Sequence, residues 1–150
     1  MTQIFKLKTG VFLMLLCASV FCHAQQSYIS KYKEVATQLS KEYGIPTAII
    51  LSIAYVETGG GSSAHSKILH NHFGMVGKNT VNKSRFRSFE NAEASYRAFC
   101  QMITRKKYYA TLKGDPDHKN WVTAIAAAGY STKPNEWKQK IHMIINRFGL

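Results

Sequence analysis

Glu57 stands where a carboxyl group could act as an acid rather than as a surface charge. It closes the first half of the stretch Thr47 to Ser63, T-A-I-I-L-S-I-A-Y-V-E-T-G-G-G-S-S, which is apolar nearly all the way round. A helix of that composition belongs in a protein interior. Counting back, Glu57 follows Ile53 by four residues, Ala54 by three and Ile50 by seven, so its side chain leaves the helix on an apolar face. Burial disfavours the ionised form and the negative end of the helix dipole disfavours it again, so both push the pKa upward. A carboxylic acid that keeps its proton near neutral pH is what general acid catalysis requires. A glutamate in the last turn before a glycine stop also fits a solvated helix end, and position alone leaves both readings open.

Other chemistries find weaker material. Cys100 falls on an apolar stripe with Tyr96, Phe99 and Ile103, the setting of a buried thiol rather than a nucleophile. His70 and His72 lie one residue apart with His65 nearby, but no clear third ligand accompanies them and no metal is expected. No phosphate-binding glycine loop follows a strand, so neither nucleotide chemistry nor any cofactor is expected.

The elements that must position Glu57 begin after a leader. Lys6 and Lys8 precede a short apolar run, Val11 to Phe21, and Cys22-His23-Ala24 presents small residues where a signal peptidase reads, so residues 1–24 are expected to be cleaved. Leu16 and Phe21, before Cys17 and Cys22, are too large for a lipoprotein processing site. Residues 25–150 then form one exported domain, about 126 residues long, located in the periplasm or outside the cell. It retains Cys100 as its one cysteine, which excludes a disulfide framework. The whole chain carries formal charge +12, and losing Lys6 and Lys8 lowers it to +10. Such an excess favours an anionic polymer or envelope surface. The basic residues are scattered without an arginine-rich helix or zinc-finger pattern, so nucleic acid is not the expected partner.

Helical periodicity runs through the rest. Ile29, Tyr32, Val35, Ala36, Leu39 and Tyr43 form one stripe, stopped by Gly44 before Pro46. Thr47 is placed to cap the buried helix. Ser63 to Leu69 predicts a short helix, and Lys78 to Ser84 a polar loop. Asn91 caps a helix from Ala92 to about Lys106, Gly114 to Asp117 makes a turn, and Trp121 to Ala128 makes a small helix stopped by Gly129. The last helix follows Pro134, with Trp137, Ile141, Ile144, Ile145 and Phe148 at helical spacing. The expectation is a mainly α fold of about six helices around one core, with a short irregular insertion and little strand.

In order, the landmarks read Y-G-I-P at Tyr43 to Pro46, E-T-G-G-G-S-S at Glu57 to Ser63, N-H-F-G-M at Asn71 to Met75, and F-R-S-F at Phe86 to Phe89. A-G-Y-S-T-K-P-N-E-W-K-Q-K-I follows from Ala128 to Ile141. This series resembles the bacterial glucosaminidase domain of autolysins and flagellar peptidoglycan hydrolases, glycoside hydrolase family 73, over nearly all of the mature chain. The resemblance implies an α+β, lysozyme-like fold, mostly helical, with a cleft for glycan strands of peptidoglycan. It implies that an endo-beta-N-acetylglucosaminidase cuts those strands with Glu57 as proton donor and Tyr130 assisting at the reacting carbon; the mature domain is expected to be a monomer. Asn71, Phe73, Gly74 and Thr132 would contact substrate. For Tyr130 and Phe73, a packed core aromatic is the other reading of the residue type.

Two positions depart from the family pattern: Gly60 replaces a tryptophan and Lys133 an aspartate. Many members also carry a second acid between the F-G and F-R motifs, where Gly77 to Arg85 has none. A pair of carboxylates is the usual equipment of a glycosidase. The preferred reading is therefore a one-acid mechanism, in which the substrate's own N-acetyl group does the work of the second carboxylate. A catalytically weak peptidoglycan-binding module and a lytic transglycosylase remain the alternatives.

Overall fold

The computed structural model describes residues 27–150; the expected leader and its cleavage point lie outside the described residues. Seven helices appear among them: α1 over 27–43, α2 Thr47–Thr58, α3 Ala64–Ile68, α4 Ala92–Thr104, α5 Tyr109–Leu112, α6 His118–Ala127 and α7 Pro134–Phe148. None of the described helices is long and apolar enough to cross a membrane.

Helix α2 is the axis of the core. Ile49, Ile50, Leu51, Ile53 and Ala54 are each fully buried, and the helix packs against α4, α6 and α7. An element with no polar face has nowhere to go but the middle. Its start differs from expectation. Pro46 occupies the cap position and Thr47 is already helical, with no side-chain cap bond. The Pro46 carbonyl takes the N–H groups of Ile49 and Ile50 at 3.0 and 3.2 Å. Proline supplies the fixed φ of a helix entry, which shifts the boundary one residue upstream of the threonine.

Gly44 is required twice over. Its φ is +67°, and a Cβ there would stand 2.9 Å from the Lys113 side chain and 3.1 Å from the Gly114 nitrogen. That nitrogen donates to the Gly44 carbonyl at 2.8 Å, tying the end of α1 to the turn after α5. Helix α5 itself was not anticipated. It is one turn long, and Tyr109 anchors it by donating its hydroxyl to the Tyr43 carbonyl at 2.6 Å.

The remaining helix starts follow local chemistry. Ser63 and Asn91 accept from backbone N–H groups at 3.2 and 2.9 Å to cap α3 and α4. Helix α4 stops two residues short of the expected Lys106. Helix α6 starts three residues before Trp121, because Asp117 caps it through Lys119 N–H at 2.9 Å. Pro134 opens α7, whose Trp137, Ile141, Ile144 and Ile145 are buried. No sheet forms among the described residues; a single antiparallel bridge joins Val76 to Phe86. Between them the acid-free loop is organised by Asn79, whose amide donates to the Ser84 and Phe86 carbonyls while its oxygen takes Val81 and Asn82 N–H.

Two buried groups give measurable consequences. Burial pushes the Cys100 thiol up to about 12, so it is expected to stay unlabelled by thiol reagents in the native mature protein and to react once urea unfolds it. Rapid labelling of native protein would contradict that placement. His72, between α3 and α4, is buried and shares a 2.7 Å hydrogen bond with Tyr28, whose hydroxyl also meets Tyr96 at 3.1 Å. Burial holds its imidazole down to about 4, with His70 and Lys31 adding repulsion. The unfolded chain takes up this proton near 6.5 and the folded one refuses it, so the contribution is whole above 6.5 and is lost as pH falls toward 4. The urea midpoint is expected to fall between about pH 7 and pH 5, and less steeply in His72→Gln. A variant with an unchanged pH slope would exclude His72 as the cause.

Candidate active site

Glu57 sits in the last turn of α2, half-buried, where Gly59 ends the helix in the left-handed conformation at φ 57°. Burial raises its pKa above the ordinary carboxyl value; the indole of Trp137 and the charge of Lys140 pull the other way and are outweighed. Trp137 comes from α7, and its Nε1–H donates to Glu57 Oε1 at 3.2 Å. One oxygen is thereby held in place, and Oε2 makes no hydrogen bond among the described residues.

Around Glu57 lies a cavity of about 300 Å³. Phe73, Gly74 and Met75 form one wall, Met102, Lys106 and Tyr108 another, and Ile125, Ala128, Gly129 and Tyr130 the third. Glu57 is the single carboxyl group among these residues. Tyr130 follows Gly129, which turns the chain at φ 78° after α6, and its hydroxyl donates to the Phe73 carbonyl at 3.4 Å. Its ring lies 5.3 Å from that of Trp137. Burial first, and the nearby Glu57 carboxylate second, push the phenol well above its ordinary value, so it is a hydroxyl donor throughout the neutral range.

The expected substrate-contacting residues divide in two. Phe73 and Gly74 line the cavity. Phe73 is also core, stacked on Phe99 at 4.2 Å with planes 7° apart. Gly74 has φ 64°, and a Cβ there would lie 3.8 Å from Glu57 Oε2, an ordinary contact. Backbone conformation, rather than lack of room, demands glycine there. Asn71 does not line the cavity. It is 1% exposed; its amide donates to the Met75 and Arg87 carbonyls at 2.8 Å each, and its oxygen accepts from Phe73 and Met75 N–H. Every polar atom of that side chain is engaged internally, which makes Asn71 the clasp that holds the Phe73–Met75 wall. Thr132 is exposed on the way into α7 and is not among the lining residues.

Trp137 is the residue that sequence reasoning placed only in an apolar stripe. An indole N–H on a buried stripe needs an acceptor, and that requirement was its available signal. Neither departure from the family pattern lines the Glu57 cavity. Gly60, at φ 68°, borders a different cavity with His70 and His72, and a Cβ there would meet the Tyr55 ring at 3.1 Å. Lys133 is exposed and pairs with Glu136 at 3.4 Å. His65 packs against Phe86, 3.8 Å between ring centroids, and does not line the cavity that His70 and His72 border.

No curated protein matches this chain. Among solved structures it is similar to the catalytic domain of the autolysin Auto from Listeria monocytogenes, with TM-score 0.71 and 17% identity, covering 84% of this chain and 85% of that one. It is also similar to the glycoside hydrolase domain of FlgJ from Salmonella typhimurium, with TM-score 0.68 and 20% identity over 83% and 97% of the two chains. A third similar chain, from a type VI secretion system effector–immunity complex of Pseudomonas protegens, gives TM-score 0.64 at 18% identity over 85% and 95%. At such identities the likeness establishes a shared lysozyme-like helical fold. The family model described as mannosyl-glycoprotein endo-beta-N-acetylglucosaminidase matches residues 33–150, from within α1 to the last residue, and so takes in every residue lining the Glu57 cavity. The chain belongs to the glucosaminidase family and is a glycoside hydrolase.

Proposed function

We propose that this glycoside hydrolase is exported, with residues 1–24 removed, and cuts the peptidoglycan backbone after N-acetylglucosamine using Glu57 as the general acid. The observation that carries this reading is the lone, pKa-raised carboxyl group in a cleft-sized cavity. The strongly basic chain suits an anionic wall polymer. The similar structure named as an autolysin agrees with an envelope substrate.

With one carboxyl group in the cavity, Glu57 protonates the glycosidic oxygen as that bond breaks. The carbonyl oxygen of the substrate's own 2-acetamido group attacks the sugar carbon, steadied by the Tyr130 hydroxyl. Water then opens the cyclic intermediate, returning its proton to the Glu57 carboxylate. Four of the other acids have surface work. Glu42 and Glu93 pair with Arg97 at 2.6 and 3.7 Å, Glu136 pairs with Lys133, and Asp115 accepts from Asn120 at 2.8 Å. Mass spectrometry of digested peptidoglycan tests the reading. Products with reducing N-acetylglucosamine ends are expected; anhydro ends identify a lytic transglycosylase, and uncut strands a binding module.

A further inference from the structure

Met75 and Met102, which line the Glu57 cavity, also line a second hollow of about 280 Å³, bounded by Arg87, Gln101 and Arg105, so a basic arm adjoins the cavity. Arg87 is placed by its N–H bond to the Met75 carbonyl at 2.8 Å, and its guanidinium lies over the Phe89 ring, 4.7 Å from the centroid. Arg105 follows α4, with its N–H on the Met102 carbonyl at 3.3 Å. Both side chains are exposed, and among the described residues neither is paired with a carboxylate. Lys106 adds a third cation on the Glu57 side of the methionines.

Two guanidinium groups without internal counter-ions, facing one hollow, form a receptor for carboxylates, whose geometry the guanidinium fork matches. Because the two hollows share Met75 and Met102, a group hanging from a sugar on either side of the bond at Glu57 is in reach of the arm. Building on the peptidoglycan reading, we propose that Arg87 and Arg105 receive a carboxylate of the peptide that peptidoglycan carries on every second sugar. The consequence is a preference for peptide-bearing over peptide-free strands, set by the arm rather than by the acid.

The test measures binding in a Glu57→Gln background, so that strands are not consumed, using labelled glycan with its peptides intact and the same glycan after amidase treatment. The parent is expected to bind peptide-bearing strands about tenfold or more tightly than peptide-free ones, a margin that shrinks with salt. Adding Arg87→Ala and Arg105→Ala is expected to bring that ratio near one. Adding Lys33→Ala and Lys41→Ala, which removes the same charge from the exposed face of α1, is expected to leave it in place. A parent without preference, equal weakening for both strands in the arginine variant, or the same loss in the lysine control each overturns the proposal. So does an arginine dependence seen only with a phosphate-bearing polymer. Wild-type protein that cuts neither strand overturns the proposed function instead, while the binding ratio still decides the arm.

Discussion

Glu57→Gln is expected to lower glycan cleavage by about 10²–10⁴-fold while the fold stays intact. The amide keeps the shape of the side chain, and its oxygen can still accept the Trp137 N–H that reaches Oε1 at 3.2 Å. It has no acidic proton to give, and the cavity walls hold no other carboxyl group to replace it. In wild type, activity is expected to decline as pH rises through the elevated Glu57 value, since the donor must start protonated. The same elevation has a cost in stability. The folded protein holds this proton more tightly than the unfolded chain, so the contribution is whole below the ordinary carboxyl value and is lost as pH rises through the folded one. Glu57→Gln, always neutral, is therefore expected to unfold at equal or higher urea concentration than wild type at neutral pH, an advantage that fades in acid. Turnover and urea melts at both pH values check the pair of effects. Undiminished turnover would end the assignment of Glu57 as the acid.

Glycan lacking the N-acetyl group at the cut site is expected to resist cleavage by on the order of 10³-fold or more, because a tethered nucleophile is worth a very high effective concentration. Binding should persist. Tyr130→Phe is expected to lose on the order of 10²-fold, since in the proposed mechanism the hydroxyl that leans on the Phe73 carbonyl steadies developing charge without carrying the essential proton. Glu90→Gln, Glu93→Gln, Asp115→Asn, Asp117→Asn and Glu136→Gln should each stay within about tenfold of wild type, a barrier change of roughly 1.4 kcal/mol or less. The ion pairs and caps that occupy four of these acids are the structural reason. Rates on acetylated and deacetylated strands, compared across these variants, decide the matter. Deacetylated glycan cut as fast as native, or one surface acid as indispensable as Glu57, would show that a second carboxylate reaches the cleft.

Legibility in the sequence followed the range of the forces involved. Asn91, Ser63 and Pro134 mark helix starts because a cap or a fixed φ acts within one turn, and those starts stand where the local signals put them. Thr47 missed by one residue because two cap signals adjoined and Pro46 prevailed. Helix α5 left no periodic trace, being a single turn held by a tyrosine hydroxyl on a carbonyl 66 residues away in sequence.

By itself the sequence determined that α2 is buried, that it carries Glu57 out on an apolar face, and that few other acids compete. Composition and spacing along one helix suffice for that. Only the tertiary structure decided which neighbours Glu57 meets. The Trp137 indole arrives from 80 residues downstream because α7 packs along α2, and Tyr130 arrives because Gly129 turns the chain out of α6. Asn71 shows the same limit from the other side. Its residue type allowed a ligand contact or an internal clasp, and the choice depended on backbone carbonyls four and sixteen residues away coming within 2.8 Å of one amide.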